Sequence, residues 1–156
     1  MTEPRPEFVD RDTGTAYADA RGLIDAYIAR FSAKVSEAKG GRVAFDPLDA
    51  DGYSSVSRGS ATIGINVLAE QTVILFLARI MKIPGEGREE FFRLLLELNF
   101  SATSDAAFAI EKETETVCLR AMRSIAGLDY EEFEDMLHTI AAVADEWDDE
   151  LQARFS

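Results

Sequence analysis

The chain has 156 residues, 47% of them hydrophobic and 29% charged, which fits one domain at the usual ~100–200 residues each. That balance excludes a disordered, collagen-like or membrane-spanning chain. Sixteen Lys and Arg against 29 Asp and Glu leave a net charge of −13, which argues against DNA or RNA as a partner because phosphate is bound by cationic side chains.

Residues 1–13 are polar, with Pro4, Pro6 and four acids. They lack the basic start and apolar stretch of a signal peptide and are expected to form a flexible acidic tail, with residues 14–156 as a single domain. From about Thr15 to Ala38 the apolar positions fall at intervals of three and four (Tyr17, Ala20, Leu23, Ile24, Tyr27, Ile28, Phe31, Val35). This predicts a first helix, ended by Gly40-Gly41. A polar loop follows, in which Val43–Phe45 could form a short strand.

Tyr53–Ser57 is a weak strand. In Ala61–Ala69, Ile63, Ile65 and Val67 alternate with Thr62, Gly64 and Asn66, the period of a strand with one apolar face. Thr72–Lys82 is apolar on both alternations, which predicts a central strand covered on both sides. Its longest apolar run, Val73–Ala78, is far shorter than the ~20 residues of a membrane helix.

Glu86–Asn99 forms a second helix whose leucines and phenylalanines cover most of its circumference, so it must meet apolar surface on more than one side. Asp105–Glu111 and Thr116–Met122 alternate around the polar stretch Lys112–Glu115, a predicted hairpin. Asp129 with Glu132 resembles a capping box, and Leu128 with Phe133 the accompanying staple. Together they start a last helix whose apolar face includes Phe133, Leu137, Ile140, Ala144, Trp147 and Leu151. The order α-β-β-β-α-β-β-α defines an α+β domain with an antiparallel twisted sheet and flanking helices.

The chemistry-bearing residues give no catalytic pattern. His138, the one histidine, lies off the apolar face beside Glu134 and Asp135 and reads as a solvated imidazole. Gly59-Ser60-Ala61 lacks the spacing of a nucleophile elbow. Cys118, the one cysteine, lies in a predicted strand and reads as a packed thiol; it suits a reducing compartment. The stretch Pro47-x-Asp49-x-Asp51-Gly52 has a fragment of a calcium loop. However, Pro47 and Arg58 stand where carboxylates are required, so it reads as a polar turn. No phosphate-binding glycine loop occurs, and zinc spacing is impossible. The chain is therefore expected to be no enzyme and to use no metal or cofactor. Ten carboxylates and no Lys or Arg lie between Asp129 and Glu150, either a solubilising face or a docking surface for a basic partner.

Short stretches carry a family likeness. Arg58-Gly59-Ser60-Ala61 enters an alternating strand, a helix ends in Leu98-Asn99, and Gly127-Leu128-Asp129-Tyr130 opens the last helix with its Ala144 and Trp147. In this order and spacing the chain resembles the YbjN family, whose fold is shared with class I type III secretion chaperones. The resemblance implies a non-enzymatic, usually dimeric, protein-binding module that holds an extended segment of a client. It supplies no catalytic residues.

The expectation is a cytoplasmic homodimer that binds a protein or peptide, with no nucleic acid or membrane partner. The dimer is expected to use Phe91, Phe92 and Leu95, and a client to meet Tyr27 and the strand of Ile63, Ile65 and Val67. The alternative is a small-molecule-sensing or enzymatic domain with a pocket between sheet and helices. A convergent polar cluster in an apolar cavity would favour that alternative, and a shallow apolar groove the first reading.

Overall fold

The computed structural model describes residues 8–41, 45–58 and 61–156. The periodicities of the sequence become helices α1 (Ala20–Lys39), α2 (Arg88–Ser101) and α3 (Tyr130–Phe155). The strands are β1 (Val9–Asp10), β2 (Thr15–Ala16), β3 (Tyr53–Arg58), β4 (Ala61–Leu68), β5 (Val73–Lys82), β6 (Ala107–Glu111) and β7 (Thr116–Ser124). β1 and β2 pair by themselves, and the other five form an antiparallel sheet in the order β3-β4-β5-β7-β6. The α+β order read from the sequence is therefore present, preceded by one small hairpin. Of the predicted strand Val43–Phe45 only Phe45 is described, and it is not in a strand; Gly59 and Ser60 also lie outside the described residues.

Each helix end has a local cause. Asp19 caps α1 by accepting the Gly22 N–H at 2.8 Å, five residues later than the periodicity alone suggests. Gly40 closes it in the left-handed region, at φ 65°, where a side chain would be strained. Asp129 caps α3 by accepting the Glu132 N–H at 2.8 Å, as its position predicts. The Glu132 carboxylate turns instead to Arg123, at 3.3 Å, so the box is only half formed.

Contacts group the described residues into two compact units. The first draws on the described residues up to Ser55, on Ile65–Leu75 and on Met122–Asp135. Its core is aromatic: the Tyr27 ring lies 5.7 Å from that of Tyr130 and 5.6 Å from that of Phe133, and Phe31 stacks on Phe45. The buried Tyr27 hydroxyl donates to the Leu128 carbonyl at 2.8 Å. Gly52, at φ 80°, faces the Val67 carbonyl so closely that a Cβ would lie 2.8 Å from its oxygen. Only glycine fits both the angle and the space.

This unit also holds the β1–β2 hairpin, in which Val9 opposes Ala16 and Asp10 opposes Thr15. Arg30 of α1 lies 3.5 Å from the buried Asp10 carboxylate and 2.9 Å from that of Asp12, with its guanidinium 4.5 Å from the centre of the Tyr130 ring. The boundary expected at residue 13 therefore falls inside an ordered hairpin. Composition shows four acids in residues 1–13, but the partner of Asp10 and Asp12 is Arg30 on α1, which local reading does not reach.

The second unit draws on Val56–Gly64, Phe76–Ala121 and Met136–Ser156. Phe91 is fully buried here, edge-to-face with Phe155 at 5.0 Å. Phe108, Val117, Leu119, Leu137, Ile140 and Leu151 are buried in the same unit. Along β5 the burial alternates: Ile74, Phe76, Ala78 and Ile80 are buried, and Val73, Leu75 and Leu77 only half-buried. The strand is central in the sheet, but the double cover expected from its composition is complete on one face only.

Candidate interaction surface

Helix α2 carries two apolar stripes. Phe91, Leu95 and Leu98 point inward and are buried. Phe92, Leu96 and Phe100, each four residues apart, form a second stripe; Phe92 is half-buried, Leu96 is 70% exposed and Phe100 94%. Steps of four residues keep these side chains on one side of the helix. Single exposed apolar residues are ordinary, but a contiguous row is a candidate interaction surface. Glu89, Arg93, Glu97 and Ser101 border the resulting shallow groove. Arg93 and Glu97 pair one turn apart at 2.9 Å, both well exposed.

The second unit thus buries one side of α2 and leaves the other open. Of the three residues expected at a dimer interface, Phe91 and Leu95 are committed to the chain's own interior, and Phe92 alone lies on the open stripe. The sequence showed apolar residues on nearly the whole circumference, and nothing in the periodicity separates the two stripes. Leu96 and Phe100 were missed for that reason.

The expected client-binding residues are placed differently as well. Tyr27, Ile63 and Ile65 are 0% exposed and Val67 is 5% exposed. Their alternation on β4 and periodicity on α1 mark a buried face, and that face is covered by this chain. None of the four can meet a client without the fold opening.

The remaining candidates are structural. Cys118 is buried, and burial together with the nearby Glu111 carboxylate pushes its thiol upward from the ordinary value. This is opposite to what a nucleophile requires. Asp49 accepts the N–H groups of Asp51 and Tyr53 at 2.9 and 3.0 Å, the geometry of a side-chain-closed turn. His138 is half-exposed on α3. Among the described residues there is no cluster of His, Cys, Asp and Glu able to hold a metal ion, and no helix long and apolar enough to cross a membrane.

The fold has known relatives. A chain of the ExsC–ExsE complex superimposes with a TM-score of 0.66 and 26% identity, over 85% of this chain and 96% of its own. The HopA1–SchA chaperone–effector complex gives 0.58 at 5% identity, over 81% and 97%. The heterodimeric ExoU–SpcU complex of the type III secretion system of Pseudomonas aeruginosa gives 0.57 at 16%, over 79% and 93%. No curated protein matches the chain in sequence. Residues 40–148 match the Tir chaperone protein (CesT) family, and the chain belongs to that family, whose members are protein-binding chaperones rather than enzymes.

Proposed function

We infer that the chain is a cytoplasmic type III secretion chaperone. It works as a homodimer joined through the open stripe of α2 and holds an extended segment of a protein client. The client is a secreted effector: the matched family is described by its chaperoning of one protein, Tir, and the similar HopA1–SchA complex pairs a chaperone with an effector. The observation that carries the dimer is the row Phe92, Leu96 and Phe100 on a helix whose other side is already buried. A second copy suits this row. Two α2 helices crossing antiparallel at Leu96 bring Phe92 of one against Phe100 of the other, the self-complementary pattern of a two-fold interface. Charge points the same way. Arg88 and Arg93 nearly balance Glu89, Glu90 and Glu97 on α2, whereas α3 concentrates the acids. α2 is thus where two strongly acidic copies repel least.

The groove's form also favours protein binding over a small-molecule pocket. It is shallow, and its charged groups lie exposed at the rim rather than converging in an apolar cavity, the opposite of an ordinary ligand or active site.

Light scattering on a sizing column tests the dimer. Wild type is expected at twice the 17.2 kDa chain mass, and Leu96→Asp/Phe100→Asp at a single chain mass with unchanged circular dichroism. A wild-type monomer, or a double variant that stays dimeric, would sink this interface.

A further inference from the structure

Strand β6 ends the sheet. An end strand presents unpaired N–H and C=O groups on which another strand can add. Which groups of β6 point outward follows from its register with β7, where Phe108 opposes Leu119 and Ala109 opposes Cys118. Asn99, in the last turn of α2, supplies the key. The Phe108 N–H donates to Asn99 Oδ1 at 2.7 Å, and Asn99 Nδ2 donates to the Phe108 carbonyl at 3.3 Å. Both main-chain groups of Phe108 therefore face away from β7. Inward and outward residues alternate in an antiparallel pair, so Ala107, Ala109 and Glu111 bond to β7, and Ile110 faces outward like Phe108. Among the described residues no side chain pairs with the outward groups of Ile110, and its side chain is 47% exposed.

A carboxamide carries a donor and an acceptor in nearly the spacing of a peptide group. The Asn99 side chain thus takes both outward groups of Phe108, as a neighbouring strand would. Asparagine is a poor helix former because its side chain competes for backbone groups. Nothing in α2 itself calls for it at a half-buried position one residue beyond the buried Leu98.

We propose that Asn99 is an edge plug that stops β6 from pairing with the β6 of a second copy. An unplugged Phe108–Ile110 edge is self-complementary about a two-fold axis, with Phe108 of each copy opposite Ile110 of the other, and the exposed Ile110 side chain adds apolar contact. The plug therefore limits self-association to surfaces other than the sheet end. It is independent of whether the α2 stripe forms a dimer.

Amide hydrogen exchange on the wild-type chain tests the first half. Phe108 and Ile110 both point their N–H groups off the same edge, and of the two only Phe108 has the Asn99 carboxamide as a partner. The Phe108 amide is expected to exchange at least about tenfold more slowly; equal rates would overturn the proposal. Sizing tests the second half. Asn99→Leu is expected to form concentration-dependent species heavier than wild type. Asn99→Leu/Ile110→Pro is expected to return to the wild-type mass, because proline removes the outward N–H without disturbing the bonds to β7. Wild-type mass for a folded Asn99→Leu, or association that persists in the proline variant, would overturn the plug. If Asn99→Leu does not fold, the exchange ratio decides alone.

Discussion

Tyr27 shows how one side chain is fixed by partners distant in sequence. It is fully buried in the first unit, against the rings of Tyr130 and Phe133, and its hydroxyl donates to the Leu128 carbonyl. Burial, helped by the carboxylates of Asp10, Asp129 and Asp12, pushes its ionisation up to about 12 from an ordinary 10. Burial also pushes Tyr130 upward, with Glu134 adding to the effect. The fold thus favours the neutral phenols. Below pH 10 both the folded and unfolded chains are neutral here, and the stabilisation is complete. As pH rises from about 10 to 12 the unfolded chain ionises first, and stability falls by on the order of 3 kcal/mol for Tyr27 alone. Denaturant titrations from pH 8 to 12 check this. Tyr27→Phe is expected to be less stable by about 1–2 kcal/mol near neutral pH, because the Leu128 carbonyl is left unpaired. It should decline less steeply above pH 10, since Tyr130 alone of the pair remains. An equal slope for variant and wild type would mean that Tyr27 does not carry the effect.

At the scale of elements, the reading of the sequence succeeds where period and punctuation agree and fails where the deciding partner is remote. The alternation of Ile63, Ile65 and Val67 gives β4, and Asp129 with Glu132 gives the start of α3 within a residue. The same alternation cannot say what covers a face, which is why these isoleucines were expected at a client surface and are found inside. Helix α2 is the sharper case, since its two stripes look alike in sequence. Their energetics should not. Phe91→Ala removes a fully buried ring and is expected to cost about 3–5 kcal/mol. Phe100→Ala removes an exposed one and is expected to change the monomer's stability by less than about 0.5 kcal/mol. Urea unfolding at a protein concentration low enough to keep the chain monomeric separates them. Similar losses for both would mean that the outer stripe is also held within the chain. The Asn99 contact was out of reach for another reason: a helix ending in Leu98-Asn99 is visible in the sequence, but the strand that its carboxamide clamps is not.

The molecule as a whole carries −13, with ten acids between Asp129 and Glu150. Two copies therefore approach against a mutual repulsion that the apolar stripe must exceed. Added salt shortens the screening length from ~10 Å at 0.1 M to ~3 Å at 1 M and removes most repulsion between exposed charges, while contact between Phe92, Leu96 and Phe100 of two copies is not weakened by it. Dimerisation through α2 should accordingly tighten as salt rises, the reverse of an association built on ion pairs. Sedimentation equilibrium at 0.05, 0.15 and 0.5 M sodium chloride measures this. A dissociation constant falling by roughly tenfold across the series, about 1.4 kcal/mol, is expected if the acidic surfaces of α3 oppose a dimer joined elsewhere. A constant that rises with salt would instead place the acids inside the contact, paired with the few cations of the chain, and would move the interface away from α2. Leu96→Asp supplies the control: it weakens association at every salt concentration only if the stripe itself is the contact. In the proposed dimer the two helices have separate tasks: α2 joins the copies, and the acids of α3 keep the joined pair from further non-specific association.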